Sequence, residues 1–264
     1  MATGGIATLI NAQPNQFTGL KTIGKVVFIF DIVLFVAFTA TICARFIIHR
    51  GTFTSALQHP TESLFVATFF LSIVNIFNCI QAYAVPACGP WLLVVQRVAF
   101  WMYLACVFLL AVGQYTYLFS APANRLTVQS MTPAWLLPIF PVMLCGTFAS
   151  QIVKTQPPEH QATIVVAGIT MQGLGWMVCF LMYGVFIPRL MQHGLPAPNM
   201  RPGMFIAVGP PSFTGLALIG MSTSVPSNYG VFAANPGMAD MVQQLAILVA
   251  MYVSRAALGG SISC

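Results

Sequence analysis

Seven long apolar stretches follow one another along the chain, and they constrain its fold more than any other feature. A membrane-spanning helix needs about 20 consecutive apolar residues. Only 5% of the 264 residues are charged, against roughly 25% in an ordinary soluble domain. The predicted spans cover about residues 23–48, 60–85, 91–119, 133–152, 161–187, 202–222 and 238–258. The sequence therefore predicts an all-α integral membrane protein, with residues 1–264 forming a single transmembrane domain in the lipid bilayer.

The segment before these stretches, MATGGIATLI at residues 1–10, is also apolar but too short to cross a bilayer. It lacks the basic start and cleavage site of a signal peptide. We interpret it as the second half of a helix whose first half is missing, and we count it as span one.

Proline recurs at the start of alternate spans. Pro60, Pro133 and Pro202 open spans three, five and seven, at steps of 73 and 69 residues. A single proline in the first turn of a helix means little, because no hydrogen bond is lost there. Three at a nearly constant step predict a repeated unit of two helices.

Two of these alternate spans also carry prolines near their centres. Pro138 and Pro141 lie in span five, and Pro210 and Pro211 lie in span seven within AVGPPSFTG. A proline inside a helix frees a backbone carbonyl, which is tolerated in a membrane where it faces protein or a water-filled cavity. Broken helices whose N-termini and hydroxyl groups face a cavity can bind anions. Kinks that serve only packing are the alternative, and the two spans in repeat positions favour a cavity.

Span three supplies a set of polar side chains. Thr68, Ser72 and Asn75 are spaced four and three residues apart and so share one helix face. This face is expected to bind an anion or carry water, or else to make hydrogen bonds between helices. Glu62 is expected to cap span three, with proton handling as the alternative. His59, beside the same end of the span, is a solvated histidine by default and a candidate for proton coupling.

Other functions find little support in the sequence. The net charge of +6 is attributed to basic residues that flank apolar runs, so we expect no nucleic-acid partner. Asp31 in span two is expected to form an ion pair with Arg97 in span four. The seven cysteines show no metal-binding spacing, and no catalytic motif is present. We therefore expect no metal, no cofactor and no enzymatic activity. The tryptophans and tyrosines fit interfacial anchoring and packing.

Several long sequence blocks carry a family resemblance. PTESLFVATFFLSI, CGPWLLVVQRVAFWMYLAC, SMTPAWLLPIFPVML, ITMQGLGW and RPGMFIAVGPPSFTGLALIG resemble the fungal malic-acid transporter branch of the tellurite-resistance/dicarboxylate transporter family. That family includes plant slow anion channels and fungal sulfite exporters, and the dicarboxylate branch fits better. The resemblance implies helical hairpins around a pseudo-five-fold central pore, lined by the odd helices and gated by a phenylalanine in the ninth of ten. It also implies a plasma-membrane location and, often, a homotrimer.

The chain departs from the family pattern at both ends. Judged by the resemblance, we expect this chain to lack half of the first helix and one whole hairpin, helices nine and ten, so that the gate has no counterpart in it. We therefore expect a transporter or channel for C4-dicarboxylate anions such as malate, with proton coupling. The alternatives are an exporter of another anion, such as sulfite or an acidic metabolite, and a truncated member that does not transport. The predicted pore-lining and substrate-binding residues are Gly4, Gly5, Thr68, Ser72, Asn75, Pro138, Pro141, Gly209, Pro210, Ser212 and Thr214.

Overall fold

Helices make up every regular element of the described chain, which confirms the predicted all-α class. The computed structural model of the protein describes residues 2–49, 51–52, 56, 62–120, 127–198, 201–224, 235 and 237–262, with side chains as far as Val253. We number the main helices α1 Ala2–Ala12, α2 Leu20–Ile48, α3 Val66–Cys79, α4 Trp91–Ser120, α5 Phe140–Ile152, α6 Pro158–His193, α7 Gly209–Ser222 and α8 Met238–Ile262.

Six helical segments in the described ranges are long and apolar enough to cross a membrane. With their flanking helical turns they are Leu20–Ile48, Ser63–Ala84, Trp91–Ser120, Pro133–Thr155, Pro158–His193 and Arg201–Ser222. In α8 the residues with described side chains, Met238–Val253, form a shorter apolar helix. The remainder of the predicted last span, residues 254–258, lies outside the described side chains.

The chain divides into two compact units, Met1–Gln96 and Arg97–Cys264. In the first unit, α1 packs against α2 and α3, and α2 also packs against α3. Its buried core contains Ala7, Phe28, Cys79 and Tyr83. The single transmembrane domain remains a prediction.

Helix α2 buries one narrow stripe of residues and exposes most of its surface. Its buried residues are Gly24, Phe28 and Asp31, spaced four and three apart as on one helix face. Gly24 gives room to Tyr83, because a Cβ at Gly24 would collide with the tyrosine hydroxyl. The close approach of α2 to Tyr83 therefore requires glycine.

Helix α5 is the centre of the second unit. In the segment Pro133–Thr155, which contains α5, 94% of an 18-residue apolar window is buried. The corresponding share in α2 is only 6%. Helices α6 and α7 both pack against α5, and α7 also packs against α6 and α8. A helix buried on all sides is typical of the interior of a bundle. Span five is thus an inner helix of its own unit.

The three alternate spans begin with the same change of helix type. A 3-10 helix precedes α3 at Ser63–Phe65, α5 at Pro133–Ile139 and α7 at Arg201–Val208. The predicted interruption at the central prolines is therefore wrong in form, because the chain stays helical through Pro138, Pro141, Pro210 and Pro211. A 3-10 helix bonds each N–H to the carbonyl three residues back. The tighter first turns lead into the prolines without unwinding the backbone.

Candidate anion-binding site

Helix α3 carries a half-buried polar stripe formed by Thr68, Ser72 and Asn75. Each side chain donates a hydrogen bond to a main-chain carbonyl of the same span: Thr68 Oγ1 to Phe65 O at 2.6 Å, Ser72 Oγ to Thr68 O at 3.1 Å, and Asn75 Nδ2 to Leu71 O at 2.7 Å. Phe65 ends the 3-10 helix that leads into α3. Inside an α-helix these carbonyls also accept the backbone N–H four residues further on. A side chain that turned away to a ligand would therefore leave its carbonyl paired.

Gly4 and Gly5 lie side by side in α1 but in different surroundings. Gly4 is buried, and a Cβ on it would lie 2.8 Å from Asp31 Oδ2 and 3.3 Å from Asn75 Cβ. Gly5 has nothing within 4 Å of the equivalent position. Gly4 thus lets Asp31 of α2 and Asn75 of α3 approach the backbone of α1, whereas Gly5 borders open space. The pairing of Asp31 with Arg97 stays a prediction.

Ser212 and Thr214, near the start of α7, differ in exposure. Ser212 is exposed, and its Oγ donates to Val208 O at 2.9 Å. Thr214 is buried, donates to Pro210 O at 2.8 Å, and accepts a 2.9 Å hydrogen bond from Gln172 Nε2 of α6. Thr214 therefore joins α6 to α7, and Ser212 is the exposed hydroxyl of this pair.

The remaining predicted residues lie where α5 and α7 begin. Pro138, Pro141 and Pro210 are buried, and Gly209 is half-buried against Phe140, whose Cε2 would lie 2.8 Å from a glycine Cβ. Because α5 and α7 pack against each other, these residues come together at one level of the second unit. They shape the backbone and contribute no side-chain donor.

Of the two residues predicted to handle protons, the structure describes Glu62 alone. Glu62 occupies the N-cap position of the 3-10 helix Ser63–Phe65, and its carbonyl accepts the N–H of Phe65 at 3.1 Å. This position agrees with the predicted charge–dipole cap of span three, and the side chain makes no capping hydrogen bond. Glu62 as a whole residue is exposed. His59 lies outside the described residues.

Three residues that the sequence did not single out connect the helices of the second unit. Gln172 is 2% exposed; its Oε1 has no hydrogen-bond partner within the described chain and lies 2.6 Å from where a Cβ of Gly146 would be. Tyr115 and Tyr183 donate their hydroxyl hydrogens to main-chain carbonyls of neighbouring segments. A buried glutamine in an apolar span is the one signal that could have indicated Gln172 in advance.

All candidate donors on the odd-numbered helices are hydroxyls and an amide, at Thr68, Ser72, Asn75, Ser212 and Thr214. Such neutral donors can replace part of the hydration shell of an anion without adding a fixed charge. Within each unit, donors of this kind are suited to weak, reversible contact with an anion.

Comparison with protein families supplies the next observation. The family model described as voltage-dependent anion channel (SLAC1) matches residues 1–258. The chain belongs to this family. The predicted family membership is thereby confirmed, and with it the assignment of the chain as an integral membrane protein.

Three relatives illustrate the range of this voltage-dependent anion channel family. A malic acid transport protein of Schizosaccharomyces pombe is 40% identical over 222 residues, 84% of this chain and 50% of the relative. A putative malic acid transport protein of the same organism is 34% identical, over 96% of this chain and 58% of the relative. A sulfite efflux pump of Arthroderma benhamiae is 28% identical, over 72% of this chain and 48% of the relative. The chain spans about half the length of these curated relatives.

Proposed function

We propose that this protein moves C4-dicarboxylate anions such as malate across a membrane. The observation that carries this proposal is the half-buried stripe of Thr68, Ser72 and Asn75 on α3 in a chain whose similarity to malic acid transport proteins exceeds that to sulfite efflux pumps. In the proposed arrangement the odd-numbered helices line a central pore, and the helical hairpins surround it with pseudo-five-fold symmetry. The plasma membrane, a homotrimer and coupling to protons through Glu62 or His59 belong to the same proposal.

The chemistry of this pathway follows from the hydrogen bonds of α3. When an anion arrives, Thr68 and Ser72 turn their hydroxyl hydrogens from helix carbonyls to the carboxylate oxygens. The Ser72 hydroxyl leaves the carbonyl of Thr68, which keeps its backbone donor inside the helix. The rearrangement is therefore inexpensive, and it allows an anion to bind and leave.

Labelled malate uptake in a yeast that lacks its own malate carrier tests the proposal. Uptake is measured at acidic and at neutral pH, with the chain as given and with a version extended by the flanking coding sequence. We expect uptake that is faster at acidic pH. Uptake by the extended version alone would assign the function to the longer protein, and no uptake by either would reject malate.

A matched pair of threonine substitutions tests the role of α3. Thr68→Val removes a hydroxyl from the stripe, and Thr41→Val removes one from an exposed position on α2, where Thr41 Oγ1 also donates to its own helix at 2.8 Å. A hydrogen bond to a charged group is worth about 1.5–3 kcal/mol. Thr68→Val should therefore raise the half-saturating malate concentration about tenfold or more, and Thr41→Val should leave it unchanged. Equal effects would exclude the stripe from the pathway.

Sulfite is a second candidate because sulfite efflux pumps are among the relatives. Excess unlabelled sulfite in the uptake medium distinguishes the two substrates. Strong competition by sulfite, together with weak competition by unlabelled malate, would favour the sulfite alternative.

A further inference from the structure

Two consecutive prolines leave one main-chain carbonyl of span seven without a backbone donor. Ala207 lies in the 3-10 helix Arg201–Val208. A 3-10 ladder would pair its carbonyl with the N–H of residue 210, and an α ladder with that of residue 211. Both are prolines and have no N–H. The hydroxyl of Tyr183 on α6 donates to this carbonyl instead, at 2.7 Å.

The same solution occurs in span five. Trp135 lies in the 3-10 helix Pro133–Ile139, and the 3-10 partner of its carbonyl would be the N–H of residue 138. Residue 138 is again a proline. The hydroxyl of Tyr115 on α4 donates to the carbonyl of Trp135 at 2.9 Å. Span five differs in one respect: only the 3-10 donor is missing there, because residue 139, the α-type partner, is an isoleucine with an N–H. In both spans a tyrosine of the preceding helix donates to a carbonyl that has lost a backbone donor to proline.

The two tyrosines are related by the repeat. Tyr115 and Tyr183 are 68 positions apart, and the carbonyls they bind, of Trp135 and Ala207, are 72 positions apart. Pro133 and Pro202 are 69 positions apart, so the tyrosines keep this repeat to within one residue, whereas the bound carbonyls are offset from it by three residues, about one helical turn. The same kind of contact therefore serves two consecutive helical hairpins. An unpaired carbonyl inside a bilayer is costly, which gives each hydroxyl a defined task beyond ring packing.

We propose that Tyr115 and Tyr183 are positioning residues for anion passage, holding the 3-10 helices that lead into α5 and α7. This inference rests on the proposed function, because α5 and α7 are taken to line the pathway. The two 3-10 helices pack against each other within the second unit. Loss of either hydroxyl therefore displaces the backbone at the level of Pro138 and Gly209, where the pathway is shaped.

Tyrosine-to-phenylalanine substitutions test this role because they keep the ring and remove only the hydroxyl. Tyr115→Phe and Tyr183→Phe are compared with Tyr117→Phe, a control on the same helix as Tyr115 whose side chain is exposed. Hydrogen bonds between membrane helices are worth about 0.6–1.7 kcal/mol. We expect each of the two variants to raise the half-saturating malate concentration about threefold to fifteenfold, at wild-type abundance in the membrane.

Two further readouts separate positioning from general stability. Because the two 3-10 helices touch, the double variant should raise the half-saturating concentration by less than the product of the single effects. Amide hydrogen exchange in residues 201–215 should be faster in Tyr183→Phe than in Tyr117→Phe. An unchanged half-saturating concentration, or uptake that falls only in proportion to abundance, would overturn the proposal.

Hydrogen exchange also keeps this inference distinct from the proposed function. If the wild-type chain carries no malate, the proposed function fails, and exchange in residues 201–215 still reports whether Tyr183 holds its 3-10 helix. Exchange that is equal in Tyr183→Phe and Tyr117→Phe would overturn the positioning role whatever the substrate.

Discussion

Replacement of Gly168 by alanine should force α6 away from α5. A Cβ at Gly168 would lie 2.5 Å from the Cβ of Ala149 and 3.1 Å from the sulfur of Met221. Non-bonded carbon atoms rest about 3.5–4.0 Å apart, so the two helices must separate by roughly 1.0–1.5 Å at this level. The Met221 side chain can turn aside, but Ala149 cannot, because its Cβ is fixed to the backbone of a helix buried on all sides.

The size of the effect follows from overpacking. Extra atoms in a well-packed interior typically cost about 1–3 kcal/mol, and alanine regains up to about 1 kcal/mol over glycine in helix propensity. The free energy of unfolding should therefore fall by about 1–2 kcal/mol. Gly173 provides the matched control on the same helix, because nothing lies within 4 Å of its Cβ position. Gly173→Ala should be neutral or slightly stabilising.

Thermal unfolding of the detergent-solubilised protein, followed by tryptophan fluorescence, measures this difference. A loss of 1–2 kcal/mol corresponds to a fall of about 2–8 °C in Tm for a chain of this size. Adding Ala149→Gly to Gly168→Ala removes the atom that the new methyl group strikes, so the double variant should regain part of the loss. If Gly168→Ala and Gly173→Ala unfold at the same temperature, α5 and α6 do not approach as described.

Two other substitutions give sharp expectations. Replacing Pro210 and Pro211 with alanine should lower malate uptake by a larger factor than it lowers the amount of protein in the membrane. Uptake is normalised to the protein amount from an immunoblot. Equal loss of both would assign these prolines to packing. Gly24→Ala should lower Tm because the new methyl group meets the Tyr83 hydroxyl, at a cost of about 1–3 kcal/mol. Gly5→Ala, which borders open space, should leave Tm unchanged.

Hydropathy predicted where the helices lie because burial in lipid requires long apolar runs. It placed their ends less well. The predicted span 161–187 corresponds to α6, Pro158–His193, whose first turn contains Glu159 and whose last turn contains His193. A helix continues as long as its backbone bonds are made, and polar residues end the apolar run before they end the helix.

The backbone geometry at the central prolines could not be predicted from the neighbouring sequence alone. Pro138 and Pro210 predicted a break near the centre of each span, whereas the structure has a 3-10 helix at the start of each span and remains helical through the prolines. The outcome depends on Tyr115 and Tyr183, which are remote in sequence and lie on other helices. A proline in the sequence shows that a backbone N–H donor is missing, but only the packed structure shows which side chain donates in its place.

The polar residues of the odd-numbered helices divide into two kinds, and this division bears on selectivity. Thr214 is engaged by both Gln172 and the carbonyl of Pro210, so its hydroxyl is committed to the contact between α6 and α7. Thr68 and Ser72 each donate to a carbonyl three or four residues back in the same span, and in the proposed pathway they exchange these bonds for an anion. Conduction requires binding that is favourable enough to admit an ion and weak enough to release it. In the proposed pathway the neutral hydroxyls on the half-buried face of α3 would meet that requirement, whereas a buried arginine or lysine in the same place would retain a dicarboxylate.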